Sequence, residues 1–317
     1  MNDETRGMPI DAPLYDIDPV RGVEYWNCRA LTAVFTVTGE VTRLIPEGLG
    51  PASPEPIGMV MIAEYGGSTI GRYAELTTFV QVIADDGRVG MYIPYIYVTG
   101  DAAMAAGREV LGAPKKLAAI ELADAYDVVQ GTIERPAGKR LATLTVKPSA
   151  RLDPAVVQAV LAPGTPFFSL RHIPAPPGGM LVHELVEWSS EIALHRDGAG
   201  DELIFTGPGS LTYDSPSEID PIHRLGVGTM IASTYMEFDM RLAGGKVVRS
   251  ESRVQTGESI GVQSYSAPSS APTPTSASPA PSPTVPHLMP PSSPPAPPPA
   301  FGSFADTGGP SGTDLQL

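Results

Sequence analysis

The chain has 317 residues, a net charge of -14, 42% apolar residues, 35 prolines and one cysteine. That length holds two average domains or one large β-rich domain with a sizeable core. The acidic balance, with no basic stripe carrying interleaved aromatics, excludes a nucleic-acid binder; the lone Cys28 excludes an intramolecular disulfide and reads as a buried apolar side chain.

Residues 1–19 are polar and lack the apolar core of a signal peptide, so they read as an amino-terminal arm. No apolar run reaches the ~20 residues of a membrane-spanning helix, and a cytoplasmic, non-membrane protein is expected. Strands then follow one another. Residues 30–41 alternate and are rich in Thr, Val and Phe, residues 58–64 form an apolar run, and residues 77–84 and 89–98 read as a hairpin around Asp85-Asp86-Gly87. Asp101 is placed to cap a short helix over residues 102–109 that Gly112 ends. Further strands are expected at 131–134 and 140–146, and a second helix opens at Asp153-Pro154 and runs to residue 161. The last strands fall at 181–188, 190–195 and 230–242, with a turn at Asp197-Gly198. Many antiparallel strands with few, segregated helices predict an α+β, mainly antiparallel β fold, a closed barrel or cone-like sheet.

The body is expected to end near residue 262. Residues 263–317 are Pro/Ser/Ala-rich, as in Pro290-Pro291-Ser292-Ser293-Pro294-Pro295, and predict a disordered tail that works as a spacer. The histidines His172, His183, His195, His223 and His287 show no close paired spacing, so no metal site is expected. Nor does a Gly-x-Gly-x-x-Gly or Walker sequence mark a nucleotide cofactor.

Chemistry concentrates at Gly107-Arg108-Glu109-Val110-Leu111-Gly112-Ala113-Pro114-Lys115-Lys116, where two lysines close an apolar, glycine-punctuated turn. A lysine pair alone is most often solvated charge. An amine shielded by apolar neighbours, however, gives up its proton and becomes a nucleophile toward ketones. In an extended segment Lys116 points away from Lys115, which leaves desolvation as the main activating cause.

This decapeptide resembles the signature of the acetoacetate decarboxylase family, and the resemblance spans roughly residues 20–240. Asn27-Cys28-Arg29, Leu44-Ile45-Pro46-Glu47-Gly48-Leu49, Tyr73-Ala74-Glu75, Phe168-Ser169-Leu170-Arg171-His172-Ile173-Pro174 and Gly207-Pro208-Gly209-Ser210-Leu211 carry it in order. It implies a Schiff-base lyase in which Lys115 forms the imine with a β-keto acid, CO2 departs, and a ketone is released. Lys116 assists Lys115, Glu75 steers a proton to the enamine, and Arg29 binds the substrate carboxylate. A homo-oligomer and a small-molecule keto acid partner are expected, while Arg108 and Glu109 brace the motif.

Two positions depart from the family's pattern. Val60 stands where a second glutamate belongs; Glu64, four residues on along the same strand face, is a candidate substitute. Ala113 stands where an aromatic precedes Pro-Lys-Lys, which predicts a roomier pocket. Some branches keep the lysine but act as aldolase-dehydratases on pyruvate and an aldehyde, and there Tyr235 is a candidate proton carrier. A non-catalytic small-molecule binding or scaffold protein is the remaining alternative.

Overall fold

A computed structural model describes residues 22–153, 155–156, 164–175 and 179–251. The first strands are β1 (Val23–Val37), β2 (Leu49–Pro51), β3 (Ile57–Ser68), β4 (Tyr73–Ala84), β5 (Val89–Tyr92) and β6 (Ile96–Val98). The helix α1 (Asp101–Ala106) continues into a wide helical turn, Gly107–Leu111. Then come β7 (Lys115–Leu117), β8 (Ala119–Ala125), β9 (Val128–Glu134), β10 (Arg140–Val146), β11 (Ala150–Arg151) and β12 (Phe167–Pro174). The remaining strands are β13 (Met180–Trp188), β14 (Ser190–Leu194), β15 (Ile204–Thr206), β16 (Gly209–Thr212), β17 (Val227–Leu242) and β18 (Lys246–Ser250).

Among the described residues these strands form two sheets. The larger follows the order β11-β15-β17-β1-β3-β4-β5-β12-β13-β18, with β14, β2, β6 and β7 attached beside it; the smaller is β16-β10-β9-β8. Pairing is antiparallel except between β5 and β12 and between β6 and β7. Among the described residues the class is the expected one: mainly antiparallel β with few, short helical segments.

The two faces of the β17-β1-β3-β4 region have different fates. One packs against the smaller sheet, where Leu31, Phe35, Ile62, Leu76 and Val80 meet Leu122, Val129, Ile133 and Leu144 in the main core. Gly131 lets the layers close, since a Cβ there would lie 2.8 Å from Ile62 Cδ1. The other face carries Tyr25, Cys28, Ala30, Ala63, Tyr65, Tyr73 and Val98 and packs against Ala103 of α1. Strand alternation separates the sets: Ala30, Ala63 and Glu75 lie side by side across β1, β3 and β4, and Arg29, Glu64 and Ala74 form the next row, facing the opposite way.

Several boundaries differ from the sequence expectation, each for a local reason. β1 starts at Val23 instead of residue 30 because a bulge at Trp26–Asn27 against β17 lets the strand continue. Asn27 adopts φ 52° there, and its N–H donates to Asp239 Oδ1 at 2.9 Å. The strand expected over 89–98 is two strands, because Pro94 has no N–H for the ladder; Tyr95 N–H donates to the Thr78 hydroxyl instead, at 3.0 Å. Asp101 does not cap the helix: Gly100 is the cap residue and Asp101 is the first helical one. The turn at Asp197-Gly198 is as expected, with Asp197 Oδ1 accepting from Ala199 N–H at 2.8 Å. Of the helix expected from Asp153, the described part shows Ala155 N–H donating to Asp153 Oδ1 at 2.8 Å, and the rest lies outside the described residues. The tail 263–317 and the arm 1–19 also lie outside them. By chain contacts the protein divides into Met1–Ser259 and Ile260–Leu317, and every described residue belongs to the first unit. No described helix is long and apolar enough to cross a membrane.

Candidate active site

Lys115 is buried, and its Nζ donates to Glu75 Oε2 at 2.8 Å. The sheet produces this meeting. β6 pairs antiparallel with β4 and parallel with β7, so Glu75 and Thr77 of β4, Val98 and Ile96 of β6, and Lys115 of β7 share one face. Alternation sends Lys116 to the other face, where its Nζ donates to Asp220 Oδ1 at 2.9 Å. Asp220 is itself buried and also accepts from Arg135 Nε at 3.1 Å, which pins the strand that carries Lys115.

Glu75 is held from three directions. Besides Lys115 on Oε2, its Oε1 accepts from the Thr77 hydroxyl at 2.8 Å and the Tyr65 hydroxyl at 3.2 Å. A carboxylate this buried needs such partners, since an unpaired one costs several kcal/mol. Burial, and then the Glu75 charge, pushes the Tyr65 phenol well above its ordinary range, so this hydroxyl keeps its proton and remains a donor. Tyr73 is pushed the same way by burial and by Tyr25. Its ring lies under the lysine, with Nζ 5.4 Å from the centroid. Tyr65 packs between Tyr25 and Tyr73, at centroid distances of 4.7 and 4.8 Å, and the Tyr25 and Tyr73 hydroxyls are 3.1 Å apart. The amine therefore sits in an aromatic, water-poor cage.

The glycine-punctuated turn is shaped around the lysine. A Cβ on Gly107 would lie 2.5 Å from Lys115 Cδ and 2.6 Å from Cε, so only glycine leaves room for the stem. Gly112 ends the helical turn with φ 73° in the left-handed region. Its loop carbonyls are taken up by β12: Ser169 Oγ donates to Leu111 O at 2.6 Å, and Arg171 Nη1 to Glu109 O at 3.2 Å. Trp188 Nε1 donates to Ser169 Oγ at 3.0 Å and holds that hydroxyl in place. Arg108 Nη1 reaches Lys115 O at 3.4 Å, a brace across the motif. Ala113 is packed with Phe79, Ile93 and Ile96; the space expected beside it is filled by this small apolar cluster.

Arg29, Glu64 and Tyr235 are not brought to Lys115. They occupy the sheet face opposite to Glu75. Arg29 donates to Glu64 Oε2 at 2.9 Å, Asp124 Oδ2 at 2.7 Å and Leu122 O at 2.8 Å, while Tyr235 donates to Glu237 Oε1 at 2.7 Å. Burial raises the Glu64 carboxyl, but hydrogen bonds from Arg72 and Arg29 outweigh it and hold the group below its usual range. Val60 is fully buried on this same face, opposite Thr78, so a carboxylate there would not point toward Glu75. A cavity of about 370 Å³ lies away from the lysine, lined by Glu40, Arg43, Leu44, Tyr95 and Arg224. Among the described residues, no three His, Cys, Asp or Glu groups converge as a metal cluster.

Sequence reasoning singled out Lys115 and Glu75, which the structure brings together, but not Tyr65, Thr77 or Asp220, whose contacts come from cross-strand register. Thr77 alone carried a local signal, lying two residues beyond Glu75 on the same strand face.

Over most of its length the chain is similar to known proteins. The family profile described as Acetoacetate decarboxylase (ADC) matches residues 7–252. Acetoacetate decarboxylase 1 of Mesorhizobium japonicum is 32% identical over 247 residues, covering 76% of this chain and 92% of that protein. The crystal structure of acetoacetate decarboxylase from Legionella pneumophila superposes with a TM-score of 0.65 at 24% identity, over 77% of this chain and 94% of that one. The enduracididine biosynthesis enzyme MppR, solved with the condensation product of pyruvate and imidazole 4-carboxaldehyde, shares the fold at a TM-score of 0.58 and 17% identity, over 72% and 89% of the two chains.

Proposed function

The chain belongs to the acetoacetate decarboxylase family and is a carboxy-lyase; from that premise we propose that it decarboxylates a β-keto acid through a Schiff base on Lys115. The buried Lys115–Glu75 pair at 2.8 Å carries the reading. Lys115 is the nucleophile. Glu75 takes a proton from the ammonium, freeing the amine to attack the ketone, and returns it as the carbinolamine loses water, so iminium formation is proton-neutral overall. The iminium accepts the electrons of the breaking C–C bond, CO2 leaves, and an enamine remains. Glu75 then relays one solvent proton to the enamine carbon, and hydrolysis releases the ketone and restores the lysine.

The remaining groups tune these steps. The Tyr73 ring, facing Lys115 Nζ at 5.4 Å, favours a cation and so supports the iminium. Tyr65 and Thr77 fix one Glu75 oxygen and leave the other for the nitrogen. Lys116 acts as a strand anchor through Asp220. Arg29 is set aside as the ligand of the substrate carboxylate, because it lies on the sheet face opposite Glu75 and Glu64, Asp124 and the Leu122 carbonyl already take its donors.

A second reading is condensation of pyruvate with an aldehyde through the same lysine: among the described residues Glu75 is the carboxylate hydrogen-bonded to Lys115 Nζ, and an enamine slow to gain its proton from that one acid survives to meet an electrophile. Both readings are tested together. Purified protein is given acetoacetate, larger β-keto acids, or pyruvate with an aldehyde, and CO2 release and condensation product are measured. CO2 release that disappears in Lys115→Arg and falls in Glu75→Gln supports the decarboxylase. Condensation without CO2 release supports the second reading, and neither activity contradicts both.

A further inference from the structure

The β12–β13 hairpin brings together two histidines that are eleven residues apart in the chain. His172 and His183 are direct register partners, with rings at 90° and Nδ1 atoms 3.0 Å apart. We propose that they form a surface site for a borderline divalent cation such as Ni²⁺ or Zn²⁺, bound through both Nδ1 atoms. The separation is the main argument. Two metal–nitrogen bonds of about 2.0–2.1 Å span roughly 3.0 Å at a right angle and roughly 3.4 Å at the tetrahedral angle. The strands already hold the two nitrogens at that bite, so little ordering remains to be done. At this distance one Nδ1 donates to the other, and one lone pair is already directed at the shared space. Binding moves the donating ring's proton from Nδ1 to Nε2. Both imidazoles stay neutral and no proton leaves.

Imidazole pairs suit zinc, nickel and copper and give little to magnesium or calcium. With no third His, Cys, Asp or Glu converging among the described residues, water completes the shell. His172 is exposed, so the ion has open access. The site is also placed to matter. Arg171, next to His172, holds Glu109 O and pairs with Glu184, next to His183, while Ser169 on the same strand holds Leu111 O. An ion at the pair ties β12 to β13 and stiffens the support beneath the Gly107–Leu111 turn.

The test uses the full chain without an affinity tag, titrated with Ni²⁺, Zn²⁺ and Mg²⁺ by calorimetry and followed by thermal denaturation. The expected result is one Ni²⁺ or Zn²⁺ per chain, a raised melting temperature reversed by a chelator, and no response to Mg²⁺. His172→Ala and His183→Ala each lose the binding, while His195→Ala keeps it. In the unmodified chain, Ni²⁺ should protect His172 and His183 from diethyl pyrocarbonate, a readout independent of how any variant folds. Binding unchanged in both alanine variants, or no protection of these two rings, overturns the proposal.

Discussion

Alanine at position 107 fits the backbone, because Gly107 has φ -63° and ψ -45°, ordinary helical values. What it does not fit is the lysine. The added Cβ would stand 2.5 Å from Lys115 Cδ and 2.6 Å from Cε, whereas carbon atoms rest at ~3.5–4.0 Å, so the stem must retreat by about 1 Å. Nζ is tied to Glu75 at 2.8 Å, so a retreating stem stretches or breaks that bond. Displacing a reacting group by about 1 Å costs on the order of 10²-fold in rate. Stability should change far less. Overpacking costs ~1–3 kcal/mol, and replacing glycine in a helical turn returns ~0.5–1 kcal/mol, leaving a net loss of at most ~2.5 kcal/mol. The assay is CO2 release by Gly107→Ala beside its melting temperature, at a temperature where the variant is folded. A folded variant with wild-type turnover would refute the claim that the glycine exists to seat the lysine.

Other outcomes follow from the same contacts. Tyr65→Phe and Thr77→Val each remove a hydrogen bond to a buried carboxylate, worth ~1.5–3 kcal/mol, so each should lower kcat by about 10- to 100-fold; unchanged kcat would show that Glu75 needs no positioning. Burial, with Asp239 second, pushes the Cys28 thiol up to about 12, so an alkylating reagent at pH 8 should label the protein only after unfolding, and fast native labelling would contradict its burial. Glu64 is held below its unfolded value, so the stability it contributes is present above that value and is lost as pH falls through the folded one. Melting temperatures from pH 7 down to pH 3 should therefore fall more steeply in the wild type than in Glu64→Gln, and parallel curves would refute that linkage.

The sequence made the lysine legible because its motif is local: glycines, proline and lysine act within ten residues of one another. Strand alternation was enough to separate Lys115 from Lys116, which do point to opposite faces. Register across strands was not legible. Arg29 fell just outside the strand expected over 30–41, and neither it nor Glu64 could be put on a face relative to Glu75, because that depends on the β1–β3 and β3–β4 registers. The same gap hid Tyr65, ten residues before Glu75 and beside it only through the β3–β4 pairing, and Asp220, which meets Lys116 across 104 positions. Spacing along the chain does not reveal that His172 and His183 are neighbours; the hairpin register does. Pro94 could have announced the break between β5 and β6, since proline removes a ladder donor wherever it falls.

Lys115 as the Schiff-base nucleophile is the central claim, and reductive trapping tests it most directly. The protein is incubated with acetoacetate and sodium borohydride, digested, and mapped by mass spectrometry. The expected result is a single reduced adduct on Lys115, absent without keto acid and absent in Lys115→Arg. An adduct on Lys116 in place of Lys115, or turnover of acetoacetate with no trapped adduct, would contradict it.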